Sequence, residues 1–295
     1  MSAIPTHASQ VVKNLEYVEE ITYGLFPTNP VMTFLAQTAV WRPNMNVSLT
    51  EFRRLGSEDV FEALGGREIY KSTLEFGIAN STFLKHGINA IVGAGTIAKS
   101  LAIGMSVKLN NVENFIQLEG SRIATLTLHG SPSANILEVT AELEHEKITT
   151  PSATDYIGTG SHATAETAAP WTYIDGGANP ITWGASALPL EDITCRFERT
   201  LATRFVMGSR TVYSQYPVRR RISGDFTAEW QNTSQEADLK ATTKRNLAWV
   251  LKSATSTLTL TDAYLMALAD RPLDPAADDS AIEKFTFVAE TANVT

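Results

Sequence analysis

The stretch Arg219-Arg220-Arg221-Ile222-Ser223-Gly224-Asp225-Phe226-Thr227-Ala228-Glu229-Trp230 decides the fold class. Ile222, Gly224, Phe226, Ala228 and Trp230 fall on one side of an extended chain, and Ser223, Asp225, Thr227 and Glu229 on the other. That period of two is the pattern of a half-buried strand. Upstream, Gly208-Ser209-x-x-Val212-Tyr213 and Arg219 have counterparts in Gly56-Ser57-x-x-Val60-Phe61 and Arg67, each shifted by 152 positions (208 − 56 = 152). The earlier set leads into Tyr70-Lys71-Ser72-Thr73-Leu74-Glu75-Phe76, where Thr73 and Glu75 alternate with Leu74 and Phe76. The offset is about half of the 295 residues, which points to two copies of one β unit in one polypeptide.

Working outward, each half reads as hairpin, helix, hairpin. The first hairpin is expected from Asn46 to Ile78, turning near Ala63-Leu64-Gly65-Gly66. A helix fits between Ser81 and Ile91. A second hairpin runs from Ser121 to Leu128, turns through His129-Gly130-Ser131-Pro132, and returns from Ile136 to Lys147. In that return, Leu137, Val139, Ala141 and Leu143 face one way, and Glu138, Thr140, Glu142, Glu144 and Glu146 the other. In the second half, Glu191–Leu201 pairs with Ile222–Gln231, and Ser234 caps a helix reaching Arg245 with Glu236 and Asp238 near its positive end. Thr255–Ala267 and Ile282–Glu290 form the last hairpin. The expected division is an N-terminal arm at 1–45, a first unit at 46–148, a Thr/Ser/Ala/Gly-rich linker or long loop at 149–187, and a second unit at 188–295.

Composition narrows the function. Twenty-four basic and 32 acidic residues give a formal charge of −8, which argues against a protein that grips duplex DNA. An acidic wall that surrounds DNA without gripping it remains compatible, because repulsion lets phosphate slide. No apolar run is long enough to span a bilayer, and Met1–Gln10 lacks the basic and apolar regions of a secretory leader. The sole cysteine, Cys195, excludes an intramolecular disulfide and a cysteine cluster, and its place in a strand reads as inert packing. The five histidines show no metal spacing, and Gly93-Ala94-Gly95 and Gly158-x-Gly160-Ser161-His162 fall short of phosphate-loop and nucleophile-elbow motifs. No enzyme and no cofactor are expected.

The segments Gly66-Arg67-Glu68-Ile69-Tyr70-Lys71-Ser72-Thr73-Leu74-Glu75-Phe76 and Arg219-Arg220-Arg221-Ile222-Ser223-Gly224-Asp225-Phe226-Thr227, followed in the first half by Phe115–Leu128 and Val139–Leu143, resemble the major tail tube protein of tailed bacterial and archaeal viruses. The likeness covers about 46–148 and 188–292, and departs from the pattern at Ser72, where the second half has Gly224. The resemblance implies a mainly β fold of two tandem β-sandwich or barrel domains, each with a flanking helix. It implies a structural virion protein whose inner strands join around stacked rings to conduct double-stranded DNA. Two fused copies suggest trimeric rings with pseudo-sixfold symmetry; six whole chains per ring, with one unit outside the wall, is the alternative. Its partners would be other copies of itself, other tail proteins and transiently passing DNA, with no small-molecule substrate, and its place the virion tail after synthesis in the host cytoplasm.

On that reading, Thr73, Glu75, Glu138, Glu142, Glu144, Glu146, Asp225 and Glu229 are candidates for the channel side, against the alternative of an ordinary solvated sheet. Asp59, Arg67, Arg219, Arg220 and Arg221 are candidates for contacts between subunits or rings. Two other function classes stay open: another β-rich tail or injection-system component (a sheathed-tail tube, a distal tail or a capsid decoration protein), and a carbohydrate-binding β sandwich using Trp171, Tyr173 and Trp183. Three aromatics around a linker more often anchor it than bind a sugar.

Overall fold

The computed structural model describes residues 11–35, 39–53, 60–89, 99–109, 112–164, 169–173, 175, 177, 180–184, 186–229, 234–252, 255–270 and 282–295. The fold is mainly β. The first half contains β1 (Val11–Glu19), β2 (Thr33–Phe34), β3 (Ala39–Arg53), β4 (Val60–Gly77), α1 (Thr82–Ile88), β5 (Leu101–Leu109), β6 (Val112–Gly130), β7 (Glu138–His145) and β8 (Lys147–Ile148). The second contains β9 (Ile181–Trp183), β10 (Ser186–Ala187), β11 (Leu190–Arg204), β12 (Ser214–Glu229), α2 (Ser234–Ala241), β13 (Arg245–Lys252), β14 (Ser256–Asp270) and β15 (Ile282–Val294).

Pairing follows the same order in both halves: β3-β4-β7-β6-β5, and β11-β12-β15-β14-β13, every pair antiparallel. Ser72 sits opposite Pro43 and Gly224 opposite Cys195, and both members of the pair shift by 152 (224 − 72 and 195 − 43). The irregularities shift with them. One extra residue enters the return strand between Val47–Glu68 and Leu49–Gly65, and again between Thr200–Arg219 and Leu201–Pro217. β1 flanks β5 with Tyr17 opposite Ile103, as β9 flanks β13 with Trp183 opposite Leu247.

The halves are joined at β6. Its C-terminal part pairs with β7 on one edge and with β11 on the other, where Thr125–Gly130 meets Ile193–Glu198. A single ladder therefore runs β3-β4-β7-β6-β11-β12-β15-β14.

One face of this ladder is the core. Leu74, Phe76, Leu126, Leu128, Val139, Ala141, Ile193, Cys195, Phe197, Phe226, Phe285 and Phe287 are all buried, in strands from both halves. Each buried Val, Leu, Ile or Phe side chain among them contributes about 1.5–3 kcal/mol. Phe226 packs on Phe285 and Phe287 with ring centroids 5.6 and 6.2 Å away. The helix α1 covers part of this face because Phe83, Leu84, Gly87 and Ile88 form one buried stripe; Phe83 meets Phe76 edge-on at 5.7 Å. The helix α2 has no such stripe and buries Asp238, which accepts from Trp183 Nε1 at 3.0 Å and pairs with Arg245 at 3.1 Å.

Two expectations are corrected. Ala63–Gly66 is strand, not turn, with Leu64 opposite Thr50 and Gly65 opposite Leu49. The glycine serves the bulge instead: a Cβ on Gly66 would stand 2.5 Å from Ser48 Oγ. The connection itself, 54–59, lies outside the described residues. The second helix stops at Ala241, because Thr242 takes a left-handed φ of 53° and Thr243 N–H turns back to the Asp238 carbonyl at 2.9 Å.

Candidate assembly surfaces

The other face of the ladder is polar, and cross-strand pairing lines its residues into rows. Thr73 lies beside Glu142, Glu142 beside Thr125, and Thr125 beside Glu198. A second row runs Glu75, Thr140, Thr127, Arg196, Ser223; a third runs Glu138, His129, Thr194, Asp225, Thr286. Thr73, Glu75, Glu138, Glu142, Glu144, Asp225 and Glu229 thus share one surface. Basic partners sit among them: Lys71 reaches Glu144 at 2.6 Å, Lys284 reaches Asp225 at 3.2 Å, and Arg42 pairs with Glu75. Exposed pairs of this kind contribute about 0–1 kcal/mol each, so their main effect is to moderate like-charge repulsion across neighbouring strands.

Glu146 stands apart from that face. The alternation of β7 ends at His145, and the chain turns to pair Lys147 with Glu119. Glu146 N–H donates to the Glu119 carbonyl at 2.9 Å, and its carboxylate fills the space over Gly24, where an added Cβ would lie 1.5 Å from Oε2. Burial, then the nearby Glu20 and Glu119, push the Glu146 carboxyl up to about 7. Beside it, His145 is buried between Ser72 Oγ (2.7 Å) and Ser121 Oγ (2.8 Å), and burial pushes its imidazole down to about 3.

The hairpin ends of the two halves are tied side by side. Arg210 Nε donates to the Gly66 carbonyl at 3.1 Å, its guanidinium pairs with Glu68 at 3.2 Å, and its carbonyl accepts from Glu68 N–H at 2.9 Å. Arg67 lies over the Phe205 ring at 4.7 Å. The three consecutive arginines separate by alternation: Arg219 and Arg221 are exposed, whereas Arg220 turns inward and donates to the Ile88 carbonyl at 2.7 Å. Arg199 joins it, forking to the His86 and Asn89 carbonyls at 2.6 and 2.9 Å. The C-terminal carbonyls of α1 are thereby capped by the other half of the chain. Burial lowers Arg199 to about 10, so it stays charged at neutral pH. Nothing in the spacing marks Arg199 or Arg210; the inward turn of Arg220 follows from the strand period. Asp59 lies outside the described residues.

The loop after β8 is held down. His162 bridges buried Glu16 (2.6 Å) and Asp155 (3.0 Å), and Tyr156 Oη donates to Glu16 at 2.7 Å. Trp171 and Trp183 are buried, and Trp171 exchanges backbone bonds with Ile78 and Leu137. A buried indole offers no platform to a sugar ring, so Trp171 and Trp183 act as packing anchors, whereas Tyr173, the third aromatic of the set, is exposed. Among the described residues no group of three or more His, Cys, Asp or Glu side chains is placed to hold a metal ion, and no helix is long and apolar enough to cross a membrane.

Two strand edges of the long ladder are open among the described residues. The edge of β3 away from β4 has no partner, and neither does the edge of β14 away from β15 along its C-terminal part. Unpaired edges are pairing templates. Pro43 interrupts the donor row of β3, as is usual in an edge strand.

A family model described as phage tail tube protein matches residues 44–295. No curated protein matches the chain in sequence. Among solved structures, the chain is similar to one in an extracellular contractile injection system, the PVC sheath-tube complex in the extended state, at 12% identity and a TM-score of 0.33, covering 39% of this chain and 86% of that one. It is also similar to the tube-terminating cap of the anti-feeding prophage, at 12% identity and a TM-score of 0.32, covering 39% and 85%.

Proposed function

Because the chain belongs to the phage tail tube protein family, and is thus a structural tail component and not an enzyme, we propose that it self-assembles into stacked rings whose polar face lines a channel for double-stranded DNA. The observation that carries this reading is the edge left open, among the described residues, at each end of one continuous ladder, β3 at one end and the C-terminal part of β14 at the other. Such edges are satisfied when copies join head to tail and close.

The strand count favours several copies over self-closure. Eight strands lie on the path from β3 to β14. An eight-stranded barrel has an interior that side chains fill, whereas barrels of sixteen or more strands leave an aqueous lumen. Three copies would give a ladder of 24 strands, from 3 × 8. With strands about 4.8 Å apart and tilted by about 40°, its backbone diameter is roughly 48 Å, room for a duplex inside a lining of side chains.

The matching pairing orders support reading the chain as two fused tube units, about 46–148 and 188–295, so that three chains make a pseudo-sixfold ring. Thr73, Glu75, Glu138, Glu142, Glu144, Asp225 and Glu229 would then face the lumen. Their acidic character, tempered by Lys71, Arg42 and Lys284, would keep phosphate from binding while DNA slides. Arg67, Arg219 and Arg221, on the hairpins, would meet the next ring or subunit. Other tail proteins would complete the tube at its ends, after synthesis in the host cytoplasm.

Electron microscopy of native particles with symmetry analysis tests this. Threefold, pseudo-sixfold averages support fused units in the wall. True sixfold averages move one unit outside the channel and overturn the trimeric ring. Particles in which the chain lies outside the tube overturn the assignment of role.

A further inference from the structure

We infer that two copies of this chain join through a defined register, β3 of one copy running antiparallel to the C-terminal part of β14 of the next, with Met45 opposite Leu268 and Asn46 opposite Ala267. The inference rests on the ring reading and adds the contact that closes it.

The chain carries its own template for the contact. At the internal seam, Phe197 of β11 lies opposite Leu126 of β6, and Glu198 opposite Thr125. On the β11 side, Phe197 pairs with Ile222 as Met45 pairs with Tyr70, and both members shift by 152 (197 − 45 and 222 − 70). Met45 therefore occupies in β3 the place of Phe197 in β11, and Asn46 that of Glu198.

On the β6 side, Leu126 connects through Ala141 to Leu74, and Leu268 connects through Phe285 to Phe226. Leu74 and Phe226 are again 152 apart (226 − 74). Thr125 reaches Thr73 through Glu142, and Ala267 reaches Asp225 through Thr286, with the same difference (225 − 73). Leu268 and Ala267 are thus the counterparts of Leu126 and Thr125.

Local irregularities independently fix this alignment. The β6–β7 ladder slips between Ile123 and Thr125, and the β14–β15 ladder between Leu265 and Ala267. Three residues before each slip begins stands a left-handed residue, Gly120 (φ 64°) and Asp262 (φ 51°). A bulge position cannot drift without moving every side chain to the other face.

Exposure shows what the missing neighbour would cover. At the seam Phe197 is 1% exposed, while Met45 is 62% exposed at the equivalent place on the open edge. Trp41, the counterpart of Ile193 (193 − 41 = 152), has a buried indole N–H with no partner among the described residues. A large apolar side chain exposed on an open edge strand is what a surface completed by assembly presents.

The test is disulfide trapping in the full-length chain, where the sole native cysteine, Cys195, is buried and gives no background. Met45→Cys with Leu268→Cys should link chains into covalent multimers on mild oxidation. Val47→Cys with Leu268→Cys, two residues off and too far for a disulfide, should not. Rings that form normally while the off-register pair links, or while neither links, overturn the register and leave the ring standing. Failure of the unmodified chain to form any multi-chain ring in native particles removes the ring and the register together. Should the cysteine variants not fold, Met45→Asp decides. The side chain is exposed in the single chain, so circular dichroism should not change, whereas burial in the contact would raise the concentration needed for assembly by at least about tenfold. Assembly of this variant at the unmodified concentration overturns the inference.

Discussion

Phe197 of β11 lies directly opposite Leu126 of β6, and both side chains are fully buried where the two halves of the chain meet. The pair belongs to one apolar face shared by both halves, so the seam is core, not a linker contact. Replacing Phe197 by Ala should cost about 3–5 kcal/mol. Denaturant unfolding should still give one transition for both halves. Two separated transitions in the unmodified protein would show that the seam does not couple them.

Arg199 forks onto the His86 and Asn89 carbonyls. Arg199→Ala should destabilise the fold by about 1.5–3 kcal/mol, the range for a hydrogen bond to a charged group. Arg199→Lys should recover less than half, because an ammonium cannot reach both carbonyls in the planar geometry of a guanidinium. Full recovery by lysine, measured by chemical unfolding, would show that charge alone matters there.

Glu146 has a carboxyl raised from 4.5 to about 7. A group raised on folding stabilises fully below its unfolded value, and its contribution falls away as pH rises through the folded one. The protein should therefore lose stability between about pH 5 and 8 from this site. Glu146→Gln, neutral throughout, should melt higher than the unmodified protein at pH 8 and differ little at pH 5. An equal effect at both pH values would place the cause elsewhere.

His145 works in the opposite sense. Its value falls from 6.5 unfolded to about 3 folded, so its contribution is present above 6.5 and declines as pH drops toward 3. In the second half the corresponding positions are Gly224, Ala289 and Ala263, by their pairing with Cys195, Ile222 and Arg245. His145→Ala alone should leave the Ser72 hydroxyl unpaired, costing about 1–3 kcal/mol, while the Ser121 hydroxyl keeps its bond to the Leu118 carbonyl. The combined Ser72→Gly, Ser121→Ala, His145→Ala variant, which copies the second half, should be more stable than the single variant and should show a flatter acid limb in thermal melts.

Gly224 has no such latitude. A Cβ there would stand 2.1 Å from the Thr194 carbonyl and 2.5 Å from Phe287. Gly224→Ala should destabilise by about 1–3 kcal/mol through backbone displacement. An unchanged melting temperature would mean that the β11–β12 spacing is softer than its packing indicates.

The alternating strands were legible because period two leaves a direct trace in sequence. Leu137, Val139, Ala141 and Leu143 are buried as their spacing requires, and Glu138, Glu142 and Glu144 are on the opposite face. The hairpins of each half were legible from period two and the repeat at 152, but the pairing of β4 with β7 and of β12 with β15, which joins one hairpin to the other, was not. The seam was not, because β6 meeting β11 is a contact between distant residues with no local signature. Gly65-Gly66 misled because a glycine pair serves a bulge as readily as a turn. Glu146 left its expected face because alternation holds only while the strand lasts, and β7 ends one residue earlier. Arg199 and Arg210 are set by tertiary geometry alone.

The single thiol of the chain, Cys195, is fully buried on β11 opposite Leu128, and burial pushes it up, away from the reactive thiolate. Its place on the seam makes it a clock. A thiol reagent can reach it only when the strands part, so the labelling rate under native conditions counts openings per unit time. Comparing that rate before and after rings form would tell whether neighbours stiffen the joint inside each chain, with no change made to the protein.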